Sequence, residues 1–370
     1  MATTRHSDVK TQPHRERLPP LPKVDWRRIK HEAPTPQPIH YSGPESPLPR
    51  ADIVVMTWTT AEWSALDHVF LNSATTRTPS DRDWEKHWYL YAKDAPSSSF
   101  SKLWGYYQRV TVKNAAGKFM DVLLFKSDAH LAHPPYIEGL SSMLSHIIED
   151  VKPKQIFSIG TAGGSATDEP LGSAVITNSA HIQLKKSENT GVDYNGKTFE
   201  SKGGFPSLKL MPDVEKQLLF PMSSIVTYDE LDYLIWSMHE KSPSSKPFGR
   251  DDLVNEPLCP TELHAPKALA KKGVPLLTTD YYFIATGSDA AKYCVLEMDD
   301  AVVAQVAGSK KVDYTFVRNI SDPIVPAKSK SGKEIPEPVR SDWSGAIYEN
   351  FGLYSSYNGA LITWAAIAGS

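Results

Sequence analysis

The stretch KQIFSIGTAGG, residues 154–164, decides how this sequence folds. Its first half is mainly apolar and predicts a buried β-strand, and its second half is a glycine-rich loop. Glycines at a strand end let a ligand approach the backbone and leave N–H groups free to meet an anion or a water molecule. The spacing matches neither GxGxxG nor a Walker loop, so Gly160–Gly164 fits a ligand site and a simple tight turn equally well.

Strand-like and helix-like segments alternate on both sides of this stretch. Strands are predicted at 53–56, 119–128, 172–180, 274–280, 293–299 and 312–322, and helices at 61–71, 136–151 and 350–369. Alternation of this kind predicts a central, mostly parallel or mixed sheet that is covered by helices on both faces.

Two segments depart from the alternating pattern. Residues 1–50 hold 10 of the 29 prolines and show no apolar period, so an extended or disordered N-terminal segment is expected. It either lies on the surface or serves as an oligomer arm or docking motif. Residues 51–370 are interpreted as one domain with an insertion around 181–260, which contains a predicted hairpin at Asn195-Gly196 and a predicted helix at 227–241.

Composition excludes several classes of protein. The net charge of −3 gives no bulk attraction to nucleic acid or to an anionic membrane. The two cysteines, Cys259 and Cys294, have no metal-binding spacing and no disulfide framework around them. No apolar stretch nears the roughly 20 residues that span a bilayer, and the N-terminus lacks a signal-peptide pattern. A soluble cytoplasmic protein without metal or cofactor, and without a nucleic-acid or membrane partner, is expected.

Carboxylates follow several predicted strands, where ligands of α/β sheets collect. Glu62 comes just after the first strand, although an acidic residue there also suits a helix N-terminus. Asp322 ends VRNISD, although Asp before Pro323 is also a common turn starter. In VLEMDD, residues 295–300, three carboxylates interrupt an apolar junction. Because buried charge is costly unless it is paired or hydrogen-bonded, these carboxylates are expected to have partners.

Three motifs in this order resemble one family. SIGTAGG followed by LGSAVITNSA, then LEMDDAVVAQVA, then VRNISD, are similar to the nucleoside phosphorylase and nucleosidase superfamily, closest to its methylthioadenosine/adenosylhomocysteine nucleosidase branch. The resemblance runs from about residue 52 to residue 368. It implies a three-layer α/β phosphorylase-like fold, with a central mixed β-sheet flanked by helices, and a homo-oligomer, either a dimer or a larger assembly.

The resemblance also implies a reaction, the cleavage of the bond between ribose and a purine base. The leaving base accumulates negative charge, and Asp322 matches the general acid that protonates a purine ring nitrogen. Glu62 matches the residue that activates the attacking water. The expected partner is therefore a small molecule, a purine nucleoside or nucleotide.

Substrate-binding residues follow from the same resemblance. Thr161, Ala162 and Gly163 are expected to line the sugar and nucleophile side, and Tyr282 and Phe283 to stack on the base. Glu297, Met298 and Asp299 match the segment that packs the sugar and binds its 2′ and 3′ hydroxyls. Asp299 stands where the family usually has Glu, so the ribose contact is expected to differ. Within this segment, Glu297 and Asp300 are expected to hold the junction through caps or ion pairs.

The nucleophile is interpreted as water. A phosphate nucleophile needs cationic partners, yet MTWTTAEW has no arginine and Ser158 precedes Ile159-Gly160. A purine nucleosidase is therefore favoured. The alternatives are a phosphate-dependent purine nucleoside phosphorylase and a non-catalytic nucleoside-binding regulatory protein.

Other polar residues have less defined roles. Cations for the 5′ phosphate of a nucleotide substrate would come from Lys126, Arg250, Lys292 and Arg318. His130 and His133, in DAHLAHPP, follow a strand and could reach a phosphate or ribose, but they are interpreted as structural histidines rather than metal ligands.

Overall fold

The computed structural model describes residues 19–96, 102–165, 170–220, 265–281, 292–322, 328, 332, 334 and 337–370. Within these ranges the strands are β1 (Thr35–Pro36), β2 (Ile53–Thr57), β3 (Tyr89–Tyr91), β4 (Gly105–Lys113), β5 (Phe119–Ser127), β6 (Gln155–Gly164), β7 (Ala174–Thr177), β8 (Ser179–Gln183), β9 (Thr198–Glu200), β10 (Ala268–Ala270), β11 (Leu276–Thr279), β12 (Val295–Glu297) and β13 (Asp313–Asp322). The α-helices are α1 (Trp26–Ile29), α2 (Thr60–Phe70), α3 (Tyr136–Val151), α4 (Met211–Val214), α5 (Asp300–Ser309) and α6 (Glu337–Ala368).

Strand β6 lies at the centre of one mixed sheet and runs through Gly164, so the prediction of a loop over the glycine-rich sequence is wrong. It pairs in parallel with β2 along one edge and with β13 along the other. Beyond the end of β2, the edge is taken over by β12, which runs antiparallel to Gly163 and Gly164. The strand order among the described residues is β1-β4-β5-β2-β6-β12-β11-β8-β9, and a branch leads from β6 through β13 to β7 and β10. The carboxyl ends of β2, β6 and β13 therefore meet near the start of α5.

Helices cover both faces of this sheet. Neighbouring residues of a strand point to opposite faces, and in β13 Arg318 pairs with Asp300 at the start of α5. The next side chain, Asn319, lies 3.0 Å from the Ser355 hydroxyl in α6. Helix α3 packs on α5, and α2 packs on α6. The fold class expected from the sequence, a mixed sheet between two helical layers, is confirmed.

Residues 19–50 lie against the domain more closely than a purely extended surface segment would. They contain α1 and β1, and the side chains of Leu21, Val24 and Ile29 are buried in the core. Backbone oxygens of Pro19 and Pro22 accept hydrogen bonds from Tyr354 at 2.6 Å and from His68 at 2.8 Å. Isolated apolar residues between prolines can fill grooves without any periodic pattern, so the sequence pattern alone did not indicate this packing.

The insertion is described in part. Strands β8 and β9 pair antiparallel, and the chain between them turns through Gly196, whose φ is 81°, as the Asn-Gly pair predicts. The helix predicted at 227–241 lies outside the described residues. Among the helices of the described ranges, none has both the length and the apolar character that a bilayer crossing requires.

Candidate active site

Glu62 is fixed at the carboxyl end of β2 by five hydrogen-bond donors. Its Oε2 accepts from the backbone N–H of Trp58 and of Thr59, both at 2.9 Å, and from the hydroxyl of Thr57 at 3.0 Å. Its Oε1 accepts from the backbone N–H and the hydroxyl of Thr161, both at 2.8 Å. A carboxylate has about four lone-pair positions, so these five donors saturate Glu62. They come from both elements, and Glu62 therefore connects the start of α2 to the glycine-rich end of β6.

The local sequence explains this position of Glu62. Thr59 and Glu62 form a reciprocal capping box, in which the Thr59 hydroxyl accepts from the N–H of Glu62. The helix therefore begins with its carboxylate turned back over the strand end. Glu62 thus lies at a helix N-terminus, as one of its two interpretations from the sequence expects, and its catalytic role stays a prediction.

Arg318 brings a buried cation to the same place. Its Nε donates to Asp300 at 2.6 Å, and its Nη2 donates to Asp300 as well, so the pair is bidentate. Nη2 also donates to the Ser158 hydroxyl at 3.1 Å and lies 3.3 Å from Glu297. The guanidinium crosses Gly160, where an added Cβ would lie 2.4 Å from Arg318 Nη1 and 2.8 Å from Glu62 Oε1. Only glycine leaves room for this crossing.

Glu297 and Asp300 hold the junction between β12 and α5, as expected from the sequence. Glu297 Oε2 accepts from the N–H groups of Asp299 at 2.6 Å and Asp300 at 3.0 Å, and so caps the helix. The Thr278 hydroxyl donates to Glu297 Oε1. Glu297 is also expected to bind substrate. A substrate hydroxyl would have to share the two carboxylate oxygens with these protein donors.

Burial sets the ionisation of this carboxylate cluster. It raises the pKa of Glu297 to about 8, helped by the neighbouring charge of Asp300. It raises the pKa of Asp299 to about 7 and raises that of Asp300 as well. With one guanidinium among three buried carboxyl groups, the cluster keeps part of its protons near neutral pH.

Asp299 is engaged by the loop that follows β5. Its Oδ1 accepts from the N–H of Leu131 at 3.0 Å, and its Oδ2 lies 3.1 Å from Nε2 of His130. The ring of His130 stacks on His133 with 5.1 Å between ring centres. Asp299 is therefore buried and partnered, as the cost of burying a charge requires.

Asp322 ends β13 after a β-bulge that lies between Ile320 and Asp322, opposite Gly163 of β6. A bulge re-aims the side chains beside it. Asp322 is partly buried and accepts a hydrogen bond from the Ser321 hydroxyl. Burial raises its pKa to about 6, and the negative charge of Glu62 contributes in the same direction. A carboxyl group with this pKa can release a proton near neutral pH.

The remaining predicted residues divide into two groups. Ala162 and Gly163 continue β6 beside Thr161, and Met298 is half-buried between Glu297 and the start of α5. Tyr282 and Phe283 lie outside the described residues, so base stacking by them stays a prediction.

Tyr348 is a site residue that sequence reasoning missed. It lies in α6, and its hydroxyl hydrogen-bonds with Thr59 and Thr161. Burial raises its pKa, with the charges of Glu62 and Asp322 adding to the effect. A tyrosine in a long apolar helix is typical of core packing, and no sequence signal separates Tyr348 from its neighbours.

Comparison with known proteins gives matches in structure only. No protein-family model and no curated protein matches this chain. A 5′-methylthioadenosine/S-adenosylhomocysteine nucleosidase from Neisseria meningitidis, in complex with methylthio-immucillin-A, is similar over 85% of this chain and 98% of its own, with 13% identity and a TM-score of 0.44.

Two further solved structures are similar to the same degree. The Helicobacter pylori nucleosidase of the same name, with butyl-thio-DADMe-Immucillin-A, covers 86% of this chain and 98% of its own at 11% identity and a TM-score of 0.46. The S-adenosylhomocysteine nucleosidase of Streptococcus pyogenes, in complex with 5-methylthiotubericidin, covers 87% and 98% at 12% identity and 0.45. At these identities and TM-scores the similarity assigns no activity to this chain.

Proposed function

We propose that this chain is an N-glycosidase that hydrolyses the bond between ribose and the base of a purine nucleoside or nucleotide. One observation carries the proposal. Asp322, with its pKa raised to about 6, stands at the carboxyl end of β13 opposite Gly163, where the charge of Glu62 also acts on it. The motif resemblance on the same residues supports it independently.

Asp322 acts as the general acid. Cleavage leaves the electron pair of the glycosidic bond on the base, so a proton must reach a ring nitrogen as the bond breaks. A carboxyl group with an ordinary pKa would be almost fully ionised at neutral pH, whereas burial keeps a usable fraction of Asp322 protonated. The Ser321 hydroxyl donates to Asp322 and holds its side chain in one orientation.

Glu62 activates the attacking water in this proposal. Its Oε1 already accepts from the Thr161 hydroxyl, so water must take the place of that donor. A hydroxyl rotates without moving the backbone. The Thr161 oxygen can then accept from the same water while Glu62 takes its proton. Thr161 thereby becomes part of the nucleophile site, in agreement with its expected position.

Charge supports water rather than phosphate as the nucleophile. Arg318 lies next to Gly160, outside the two sequence segments in which a phosphate-binding arginine was expected. Its guanidinium is neutralised by Asp300 and lies beside Glu297 as well. A phosphate dianion entering here would meet a cation whose charge Asp300 already offsets. The same carboxylates favour the positive charge that develops on the sugar in an oxocarbenium-like transition state.

The first experiment measures base release. Purified protein is incubated with adenosine, methylthioadenosine, AMP and ATP, with and without phosphate, and free base is quantified by chromatography. We expect release of adenine from at least one of these substrates at a rate that phosphate does not change. Absence of release from all four would refute the proposal, and release only with phosphate would refute hydrolysis.

The assembly state belongs to the same proposal. The resemblance implies a homo-oligomer, and the proposed location is the cytoplasm. Light scattering coupled to size-exclusion chromatography measures the mass in solution against the 41.1 kDa of one chain. A strictly monomeric, active protein would contradict the implied assembly without affecting the proposed chemistry.

A further inference from the structure

Asp299 occupies the position before α5 but does not cap that helix. Its side chain makes no capping hydrogen bond, because Glu297 already accepts from the N–H groups at the helix start. The carboxylate of Asp299 instead turns to the loop after β5, where Leu131 and His130 meet its two oxygens. Glu297 therefore caps the helix, and Asp299 binds the loop.

The hydrogen bonds of His130 determine its tautomer. Its Nδ1 accepts from the backbone N–H of Ala132 at 3.0 Å, and a backbone N–H can only donate. Burial lowers the pKa of His130 to about 4, so the ring is neutral near pH 7 and its one proton is on Nε2. That N–H faces Oδ2 of Asp299 at 3.1 Å.

His130 stands in front of Asp299. The side chain of His130 is 22% exposed, and that of Asp299 is 3% exposed. Of the two side chains, the imidazole is therefore the more accessible to a ligand. Asp299 is one methylene shorter than the Glu of the resembled family, and its Oδ2 has the ring of His130 as a neighbour.

The loop holds this arrangement through a second anchor. Asn189, which is fully buried, donates to the Leu131 carbonyl at 3.2 Å and accepts from the Ile137 N–H at 3.2 Å. Its Nδ2 also donates to Asp280 at 3.1 Å. Leu131 is thus fixed on both sides, by Asp299 at its N–H and by Asn189 at its carbonyl, so His130 has little freedom to move away.

We infer that His130 and Asp299 form one hydroxyl-binding unit and that His130 determines selectivity for ribose over deoxyribose. Rotating slightly, Nε2–H donates to a sugar oxygen while the hydroxyl hydrogen goes to a remaining lone pair of Asp299 Oδ2. A hydroxyl group both donates and accepts, so it fits a carboxylate beside an N–H, whereas C–H at a deoxy position makes neither hydrogen bond and leaves His130 and Asp299 paired only with each other. This inference rests on the proposed function for the identity of the ligand.

The test compares binding and turnover of adenosine, 2′-deoxyadenosine and 3′-deoxyadenosine. Binding is measured by calorimetry in an Asp322→Asn background, in which the ligand is not consumed, and turnover as kcat/KM with Asp322 intact. We expect adenosine to exceed at least one deoxy analogue by ~10-fold or more. His130→Ala should reduce that ratio below about threefold, and His130→Gln, which keeps an N–H donor, should retain part of it.

His133→Ala is the matched control, because His133 stacks on His130 in the same loop and makes no described contact with Asp299. It should leave the ratio unchanged. A double variant, His130→Ala with Asp299→Glu, should regain selectivity, since the longer carboxylate reaches the sugar directly. Thermal unfolding of each variant shows that the loop changes leave the domain folded.

The outcomes separate this inference from the proposed function. An unchanged ratio in His130→Ala, with turnover present, overturns the hydroxyl-binding unit and leaves the N-glycosidase intact. Ribose-selective binding without turnover overturns the N-glycosidase and supports the unit. If no nucleoside binds, both are wrong.

Discussion

Replacing Asp322 with Asn removes the ionisable proton at the end of β13 and changes little in shape. The amide oxygen of asparagine can accept from the Ser321 hydroxyl as the carboxylate of Asp322 does, but the side chain cannot give a proton to a leaving base. Loss of a general acid typically costs 10²–10⁴-fold in rate, so we expect kcat to fall by about that factor.

The raised pKa gives this variant a second signature. With a pKa of about 6 rather than 3.8, about one Asp322 in ten is protonated at pH 7, against about one in 1,600 for an ordinary aspartate. Because the folded state binds this proton more tightly than the unfolded state, the stability it gives is lost as pH rises through about 6. The substituted asparagine carries no charge to bury, so Asp322→Asn should raise the free energy of unfolding at pH 8 by about 1–3 kcal/mol.

Chromatographic rates and urea unfolding at pH 8 measure these two effects on one preparation. The matched control is Asp313→Asn, at the other end of β13, where Asp313 accepts from the Ser201 hydroxyl at 2.7 Å. It should keep the activity. Full activity in Asp322→Asn would refute the general-acid role, and inactivity together with lower stability would show that Asp322 is needed for folding rather than for proton transfer.

Three further predictions concern the buried charges. Arg318→Met leaves the carboxylates of Asp300 and Glu297 without their cation, and we expect a loss of about 3–5 kcal/mol in urea unfolding. In Glu62→Gln, the amide N–H of glutamine faces at least one backbone N–H donor, so the variant should lose about 2 kcal/mol or more of unfolding free energy in urea. It should also lose most of the activity in the base-release assay. The raised pKa values of Asp299 and Glu297 predict a Tm that falls between pH 6.5 and 9, because the folded state keeps protons that the unfolded chain has already lost.

A surface pair provides the control for the arginine variant. Lys86 and Asp83 form an exposed ion pair at 2.6 Å, and exposed pairs contribute little to stability. Lys86→Met should therefore leave the urea midpoint almost unchanged. An equal effect of the two variants would contradict the assigned importance of the buried cluster, and a Tm that rises from pH 6.5 to 9 would contradict the raised carboxyl pKa values.

Sequence reasoning found what is local along the chain. Strand ends located Asp322, and the cost of buried charge indicated that VLEMDD must contain partners, which the structure provides for Glu297 and Asp300. The place of Glu62 at a helix N-terminus, which the sequence also indicates, is equally local. These features depend on residues within a few positions of one another, and the periodic pattern of the strands placed them at one edge of the sheet.

Contacts between distant segments were not accessible in this way. Arg318 was considered as a phosphate ligand, but its neighbours follow from the pairing of β13 beside β6 and from α5 above them. The position of His130 after a strand is compatible with a ribose contact or a structural role, and nothing near it in the sequence reveals that Asp299 lies opposite. Tyr348 enters from a helix that begins 15 residues after β13 and has no local signal. In each case the partner is fixed by tertiary packing.

The most direct measurement of the central claim is the origin of the new oxygen on the sugar. Adenosine, or whichever substrate releases its base, is incubated with the protein in ¹⁸O-labelled water that contains unlabelled phosphate. The sugar product is analysed promptly by mass spectrometry, with a no-enzyme sample of the free sugar to correct for exchange. Hydrolysis predicts a free sugar that carries ¹⁸O above this exchange level at C1′. A sugar 1-phosphate, or a substrate that stays intact under all conditions, would contradict the proposed N-glycosidase.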